Sequence, residues 1–231
     1  TNSIFRTMGL TNFKPLSGTN TYRGNRLGGV AVKGRRSGES VDPQRVVQEK
    51  FTLQVDVVSY VRTTSDYADD WTGPDYTQEY SDEHGFAHAK AFDQAHIIQL
   101  IKAGAWLAPA SLKATGAFYD GITKTMSGYT AETDQAKKAD YIERAHRAAT
   151  TDFVNRDLGD SLAEFATLIS PTWFSVLMDH NKLLNVQYTG GNNGSSFAGR
   201  RVAMMNGMKL LETPRFPTGA SAGHFLGSAF D

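Results

Sequence analysis

Two histidines four residues apart form the strongest chemical motif in the sequence. His84 and His88 lie in a segment of helical composition and would share one helix face, with Asp82 and Glu83 beside them. Histidines at this spacing hold Zn²⁺ when a third ligand arrives, but a zinc-protease helix has Glu directly after the first His, and Gly85 occupies that place. The motif therefore predicts histidines on a polar helix face, and no metal site is expected.

The other motifs carry no chemistry that the sequence supports. The segment GTNTYRGNR at 18–26 lacks the Gly-Lys-Ser/Thr ending of a phosphate loop, and no Gly-x-Ser-x-Gly nucleophile elbow occurs. Cysteine is absent, which excludes disulfides and thiolate metal sites, and no apolar run approaches the length of a membrane span. We expect no catalytic residue and no cofactor. A cytosolic metal-dependent enzyme that uses the histidines is the weakest alternative.

The histidines lie on the segment expected to organise the fold, a helix over 75–106. Pro74 precedes it and Pro109 follows it, as proline does at helix boundaries. At about 1.5 Å per residue such a rod is roughly 45 Å long, which suits the scaffold of a flat domain. A single apolar stripe, interrupted by Asp93, is predicted to face the core; it comprises Phe86, Ala89, Ile97, Leu100, Ile101 and Gly104.

The rest of the chain shows shorter patterns. Alternation over 51–57 predicts a strand whose buried face carries Phe51, Leu53, Val55 and Val57. Further patterns predict a loop with short strands over 107–130, helices over 133–153 and 173–184, the latter capped by Ser170 or Thr172, a buried strand over 162–169, and a hairpin joining 202–205 to 208–211 through Asn206-Gly207.

Charge is unevenly distributed although the chain is neutral overall. Residues 1–50 carry nine basic and three acidic side chains, whereas residues 51–98 carry two basic and nine acidic ones. The glycine-rich stretch 9–50 has few large apolar groups, so we expect it to be either flexible or ordered by a partner. Three interpretations stay open: the basic arm contacts nucleic acid, it pairs with the acidic block of another copy, or both are merely solvated.

Several weak pieces occur in a characteristic order along nearly the whole chain. They are Phe5-Arg6, Arg35-Arg36-Ser37-Gly38, the strand 50–56, Glu79-Tyr80-Ser81 with the helix 87–104, the helix 133–153, the segment 165–179 with SPTWFSVL, the glycine loop 190–199 and the segment 207–217. In this order the chain resembles the major capsid protein of tailed bacteriophages, which has the Hong Kong 97 fold, and most closely that of short-tailed phages.

The resemblance implies an α+β protein with the domains of that capsid fold. These would be an N-terminal arm remnant at 1–8, an extended loop at 9–50, a peripheral domain at 51–109 with its spine helix at 75–106, an axial domain at 110–200, and a return to the peripheral domain at 201–231. Such proteins have an arm before Phe5 and further strands after Pro217. Both are short or missing here, so a fragment with a truncated C-terminal part is expected.

The resemblance also implies a function without catalysis. The chain would self-assemble as hexamers and pentamers into an icosahedral shell around phage double-stranded DNA, bound without sequence specificity. Assembly would occur in the bacterial host cytoplasm, the product would be the virion, and scaffold, portal and cement proteins would be candidate partners, with no membrane involved. An encapsulin-type nanocompartment shell is the alternative with the same fold.

The same resemblance implies a role in assembly for the uneven charge distribution. The positive loop of one subunit would lie over the negative block of the next, which would steer assembly and fix its register. The expected assembly interface comprises Arg23, Arg26, Lys33, Arg35 and Arg36 on the loop, and Asp75, Glu79, Asp82 and Glu83 at the start of the long helix.

Overall fold

The computed structural model describes residues 3–12, 14–41, 43–55, 58–64, 76–180 and 204–217. Helices and two separate sheets make it an α+β protein, as predicted. The elements are α1 (Ile4–Thr7), β1 (Thr21–Leu27), β2 (Gln48–Gln54), α2 (Thr77–Gly104), α3 (Ala110–Lys113), α4 (Gln135–Val154), a 3₁₀ helix (Gly159–Glu164), β3 (Ala166–Ile169), α5 (Pro171–Leu177), β4 (Met204–Met205) and β5 (Met208–Glu212). They belong to unit 1 (Thr1–Gly121 and Pro217–Asp231) and unit 2 (Ile122–Phe216).

The long helix is confirmed as α2, but its predicted apolar stripe is only partly correct, because Ala89 and Ile97 are buried and its larger members are not. Phe86, Leu100 and Ile101 are 39%, 56% and 41% exposed. The buried side chains instead include Ala89, Asp93 and Ile97, which follow one another at intervals of four residues and so form a narrow ridge. The larger apolar members of the predicted stripe lie outside this ridge and are in contact with solvent.

Asp93, the one charge inside the predicted stripe, holds the N-terminal segment on α2. Its carboxylate is 0% exposed, accepts a hydrogen bond from Ser3 Oγ at 2.7 Å and another from the backbone N–H of Ile4 at 3.0 Å. Phe5 is also buried, and its ring lies 5.1 Å from that of His96 one turn further along α2. The carboxylate therefore accepts the hydrogen bonds of two donors at the start of α1, and Phe5 adds an apolar contact with α2.

Replacing Asp93 by Ala is expected to release α1 from α2. The change leaves the Ser3 hydroxyl and the Ile4 N–H without their acceptor, which costs about 1–3 kcal/mol for each donor. The total loss is limited by the free energy needed to detach the segment, because detachment exposes both donors to water. Asp93→Asn should be milder, because an amide oxygen can accept from Ile4 while the Ser3 hydroxyl accepts from the amide nitrogen. Amide exchange at 5–8, measured by mass spectrometry, should rise most in the Ala variant. Equal exchange in Asp93→Ala and in the exposed control Glu79→Ala would contradict this role.

Strands β1 and β2 of unit 1 form a two-stranded antiparallel sheet in which Thr21 pairs with Gln54 and Leu27 with Gln48. The strand predicted at 51–57 is therefore present but begins earlier. Its predicted buried face is wrong, since Leu53 and Val55 are 56% and 55% exposed, and Val57 lies outside the described residues. No third strand pairs with this sheet in the described part of the chain.

Unit 2 is built on a three-stranded sheet with β5 in the centre, parallel to β3 and antiparallel to β4. The predicted hairpin turn is confirmed, with positive φ values of 49° at Asn206 and 84° at Gly207, as a type I′ turn requires. Residues 202 and 203 lie outside the described residues. Helices and sheet enclose one apolar cluster, which consists of Ile142, Ile169, Phe174, Leu177, Met205 and Leu210.

The helices of unit 2 begin where capping chemistry predicts. Asp134 caps α4 by accepting from Ala136 N at 3.0 Å, and Ser170 Oγ accepts from Trp173 N at 3.4 Å at the start of α5. However, α5 ends at Leu177 rather than 184, and residues 181–203 lie outside the described part. The strand predicted at 162–169 is shortened by the 3₁₀ helix, and the fully described stretch 107–130 contains α3 but no strand.

A half-buried histidine links α4 to the sheet of unit 2. His146 Nε2 lies 2.9 Å from Thr167 Oγ1, and its Nδ1 lies 3.0 Å from Asn206 Nδ2. The Thr167 hydroxyl donates to the sulfur of Met208, so it accepts from Nε2–H, and Nδ1 accepts from the Asn206 amide. This arrangement needs a neutral ring. Burial lowers the pKa of His146 below its usual value, an effect that nearby Glu143 only partly opposes.

Acidification is expected to destabilise unit 2 through His146. The unfolded state takes up a proton as pH falls through about 6.5, while the folded ring resists it, so the free energy of unfolding falls from there until the pH passes below the folded-state pKa. Urea midpoints measured between pH 7.5 and 5 should fall less steeply for His146→Gln than for the unchanged protein. The exposed control His88→Gln should retain the full slope, and an unchanged slope in His146→Gln would refute the assignment.

Candidate assembly surface

Of the five basic residues predicted to form the interface, Arg26 is engaged within its own chain. Its guanidinium carbon lies 4.7 Å from the centre of the Phe51 ring and 5.4 Å from that of Trp106. Such stacking stabilises a planar cation and keeps it from an outside partner. Sequence reasoning missed this role because the stacking partners lie far along the chain, at the end of α2 and across the sheet.

The other four basic residues are exposed. Arg23 points outward from β1, whereas Lys33, Arg35 and Arg36 lie at the tip of the extended loop. The tip is folded back on itself by Glu39, whose carbonyl accepts from Arg35 Nη1 at 2.5 Å and whose carboxylate accepts from the backbone N–H of Arg36 at 2.9 Å. Arg36 is thus exposed to solvent, and the same loop also exposes Val30, Val32 and Val41.

The predicted acidic residues that the structure describes lie on the first two turns of α2. Glu79, Asp82 and Glu83 are exposed, and Asp82 accepts a hydrogen bond from Gln78 Nε2 at 3.0 Å. Asp75 lies outside the described residues.

Two exposed tyrosines share the acidic face of α2. Tyr76 and Tyr80, with ring centres 6.4 Å apart, occupy the same side as Glu79 and Glu83 because these positions are spaced three and four residues apart. This face combines carboxylates with aromatic rings, which are the two kinds of group that arginine prefers.

The structure does not bring the basic and acidic groups together within one chain. Among the described residues, no ion pair joins the loop cations to Glu79, Asp82 or Glu83. The basic and the acidic groups are therefore both available to bind other molecules.

The histidine motif of α2 does not gather further ligands in the described part of the chain. His84 Nε2 lies 3.0 Å from the Thr63 hydroxyl, and no group of three His, Asp or Glu side chains suitable for a metal occurs among the described residues. Within those same residues, no helix is both long and apolar enough to cross a bilayer.

Unit 1 exposes large apolar side chains over much of its described surface. They lie on the loop, on β2, in the segment that follows β2, and on and after α2; the most exposed are Val30, Val32, Val41, Val58, Tyr60 and Leu107. Isolated exposed apolar residues are normal, whereas contiguous apolar patches mark surfaces that other protein covers.

Comparison with known proteins adds a relative of clear sequence similarity. No protein-family model matches the chain, and no curated protein matches it. Its fold is similar to that of a chain in the asymmetric unit of the mature capsid of bacteriophage PhiM1, with 44% sequence identity and a TM-score of 0.76. The match covers 87% of this chain and 59% of that chain.

Two other solved structures share the fold at lower identity. The capsid of cyanophage P-SCSP1u matches with a TM-score of 0.66 and 18% identity, covering 87% of this chain and 61% of that chain. A structure from Mycobacterium phage Che8 matches with a TM-score of 0.53 and 13% identity, covering 94% and 67%. The chain thus spans about three fifths of the length of the PhiM1 and P-SCSP1u proteins.

Proposed function

We propose that the chain belongs to the capsid proteins of tailed bacteriophages and that it acts as a major capsid protein. Many copies would assemble into an icosahedral shell that encloses phage double-stranded DNA. The single observation that supports this most is the 44% identity to the PhiM1 mature capsid chain, extending over most of this chain. No catalytic role, metal or cofactor is proposed.

We assign the parts of the chain to the Hong Kong 97 fold as follows. The N-terminal arm remnant is 1–8, the extended loop 9–50, the peripheral domain 51–109 with spine helix α2, the axial domain 110–200 and the return to the peripheral domain 201–231. The β1–β2 sheet supports the loop assignment, because it forms the base of an excursion whose tip carries no core of its own.

We further propose that the loop tip of one copy lies on the start of α2 of another. Lys33, Arg35 and Arg36 would face Glu79, Asp82 and Glu83, and the exposed tyrosines of α2 would stack on the guanidinium groups. Arg23 remains a candidate at the edge of this contact. Arg26 is withdrawn from it, because its guanidinium is already stacked within its own chain.

In this proposal the closest partners are further copies of the same chain, arranged as hexamers and pentamers. Scaffold, portal and cement proteins are further candidates, and the enclosed DNA would be contacted without sequence specificity. Assembly would take place in the cytoplasm of a bacterial host, and the protein would then reside in the virion.

Electron microscopy of purified recombinant protein, with nuclease treatment of native particles, tests the proposal. Closed shells or their hexameric and pentameric rings are expected, and native particles should protect double-stranded DNA from nuclease. Shells that hold cargo protein and no protected DNA would instead indicate a nanocompartment. A uniform monomer at high protein concentration would contradict shell formation.

A further inference from the structure

The base of the extended loop is tied to the body of unit 1 at two points. We propose that these ties form a clamp, so that the loop moves only at its tip during assembly, and that Arg26, Trp106 and Thr115 are its positioning residues. The inference rests on the proposed shell function for its consequence in assembly. The clamp itself can be measured on unassembled protein.

The first tie is the stack around Arg26. The guanidinium lies over both Phe51, on the neighbouring strand, and Trp106, which follows the last turn of α2. Phe51 can lie flat across the strand pair because its partner is Gly24, where a Cβ would stand 2.5 Å from the ring. A guanidinium between two rings thus connects the hairpin to the end of the long helix.

The second tie is the hydroxyl of Thr115, just after α3. It accepts from the backbone N–H of Gly29 at 3.0 Å and donates to the carbonyl of Leu112 at 2.6 Å. Leu112 is completely buried, so the hydroxyl is anchored on a fixed point. The approach is close, because a Cβ on Gly28 would stand 2.8 Å from Thr115 Cγ2.

Beyond Gly29 the described loop has only local ties. The backbone N–H of Ala31 donates to Gln44 Oε1 at 3.2 Å, and Glu39 holds the turn at the tip. Val30 and Val32 are exposed, and neither strand continues past Leu27 or Gln48. The local stability of the backbone is therefore high in the residues before Gly29 and low in the loop residues after it. This difference places a hinge between Gly29 and Ala31.

The clamp separates two tasks of the loop. The direction in which the loop leaves the body is set inside each copy by Arg26, Trp106 and Thr115. Any adjustment between copies that occupy different places in a closed shell falls to 30–44. A loosened clamp would allow the loop to leave at varying angles, and shells of mixed size would result.

Two matched pairs of variants test the clamp. Arg26→Lys keeps the charge but loses the planar stacking group, and Arg23→Lys makes the same change on the exposed face of the same strand. Thr115→Val removes the hydroxyl but keeps the shape, whereas Thr115→Ser keeps the hydroxyl. Hydrogen exchange of unassembled protein is followed in peptides covering 21–29 and 30–44, and particle diameters are measured by electron microscopy.

In Arg26→Lys and Thr115→Val, the amides of 21–29 are expected to exchange roughly tenfold faster, because each variant loses one such stack or hydrogen bond. Exchange over 30–44 should stay unchanged, and the distribution of particle diameters should broaden. Thr115→Ser should match the unchanged protein in both measurements, and Arg23→Lys should match it in the exchange of unassembled protein. Unchanged exchange in Arg26→Lys overturns the clamp. Faster exchange with uniform normal shells overturns its role in assembly alone. If the unchanged protein forms no shells, the shell function fails, while the exchange data still decide the clamp.

Discussion

Replacing Arg35 and Arg36 together by Glu is expected to stop shell assembly, or to raise the protein concentration that it requires at least about tenfold. Both side chains lie at the exposed loop tip, where the reversal would place two carboxylate groups opposite those of α2 in another copy. A single exposed ion pair contributes little, but this contact would recur at every copy of the shell. Sedimentation and electron microscopy across a series of salt concentrations measure the effect.

Two controls make the charge reversal decisive. Arg62→Glu with Lys90→Glu changes the net charge equally at exposed sites outside the loop and should leave assembly nearly unchanged. Adding Glu79→Lys and Glu83→Lys to the loop variant restores opposite charges across the proposed contact and should recover shells. If the loop variant forms shells of unchanged number and salt tolerance, the proposed interface is wrong.

Truncating Leu177 to Ala is expected to lower the free energy of unfolding of unit 2 by about 3 kcal/mol. Leu177 is 0% exposed and packs in the apolar cluster between the helices and the sheet. The truncation removes buried methyl groups and leaves a cavity that the surrounding side chains fill only in part. Since whole domains are stable by about 5–15 kcal/mol, this is a large share.

Urea unfolding followed by circular dichroism measures the Leu177 effect. Leu107→Ala provides the matched control, because it makes the same chemical change at an exposed site and should stay within about 0.5 kcal/mol of the unchanged protein. A loss of stability in Leu177→Ala no larger than that of Leu107→Ala would show that the cluster is not the core of unit 2.

Local signals in the sequence predicted much of the fold. The long helix, the Ser170 cap and the Asn206-Gly207 turn all depend on residues within a few positions of one another, and each is present in the structure. Helix propensity, capping and turn geometry act over such short distances.

Features that depend on distant residues were not predictable in the same way. Asp93 looked like a defect in an apolar stripe, yet it binds Ser3 and Ile4, about ninety positions earlier. Its charge amid apolar neighbours was the only available signal. The stacking of Arg26 on Trp106 had no signal in the sequence, because the two residues lie eighty positions apart and no local pattern relates them.

The candidate interface was predictable in part. Uneven charge identified a basic loop and an acidic helix start, and the structure exposes most of the residues concerned. Charge alone cannot separate a cation that meets a partner from one that is stacked within its own chain, which is why Arg26 was included. The buried faces predicted for α2 and β2 were wrong in part, because amphipathic periodicity does not reveal whether any surface of the same molecule covers a face.

The central position of β5 has a consequence for how unit 2 is made. This strand is the last element of its unit along the chain, yet both β3 and β4 pair with it. At a synthesis rate of about 5–20 residues per second, Ile169 at the end of β3 waits roughly 2–9 s before Glu212 is made. During that interval β3 is without its described partner strand. The backbone groups of β3 that later pair with β5 are therefore open to misassociation until β5 emerges, and a chaperone that covers this edge would raise the yield of folded protein.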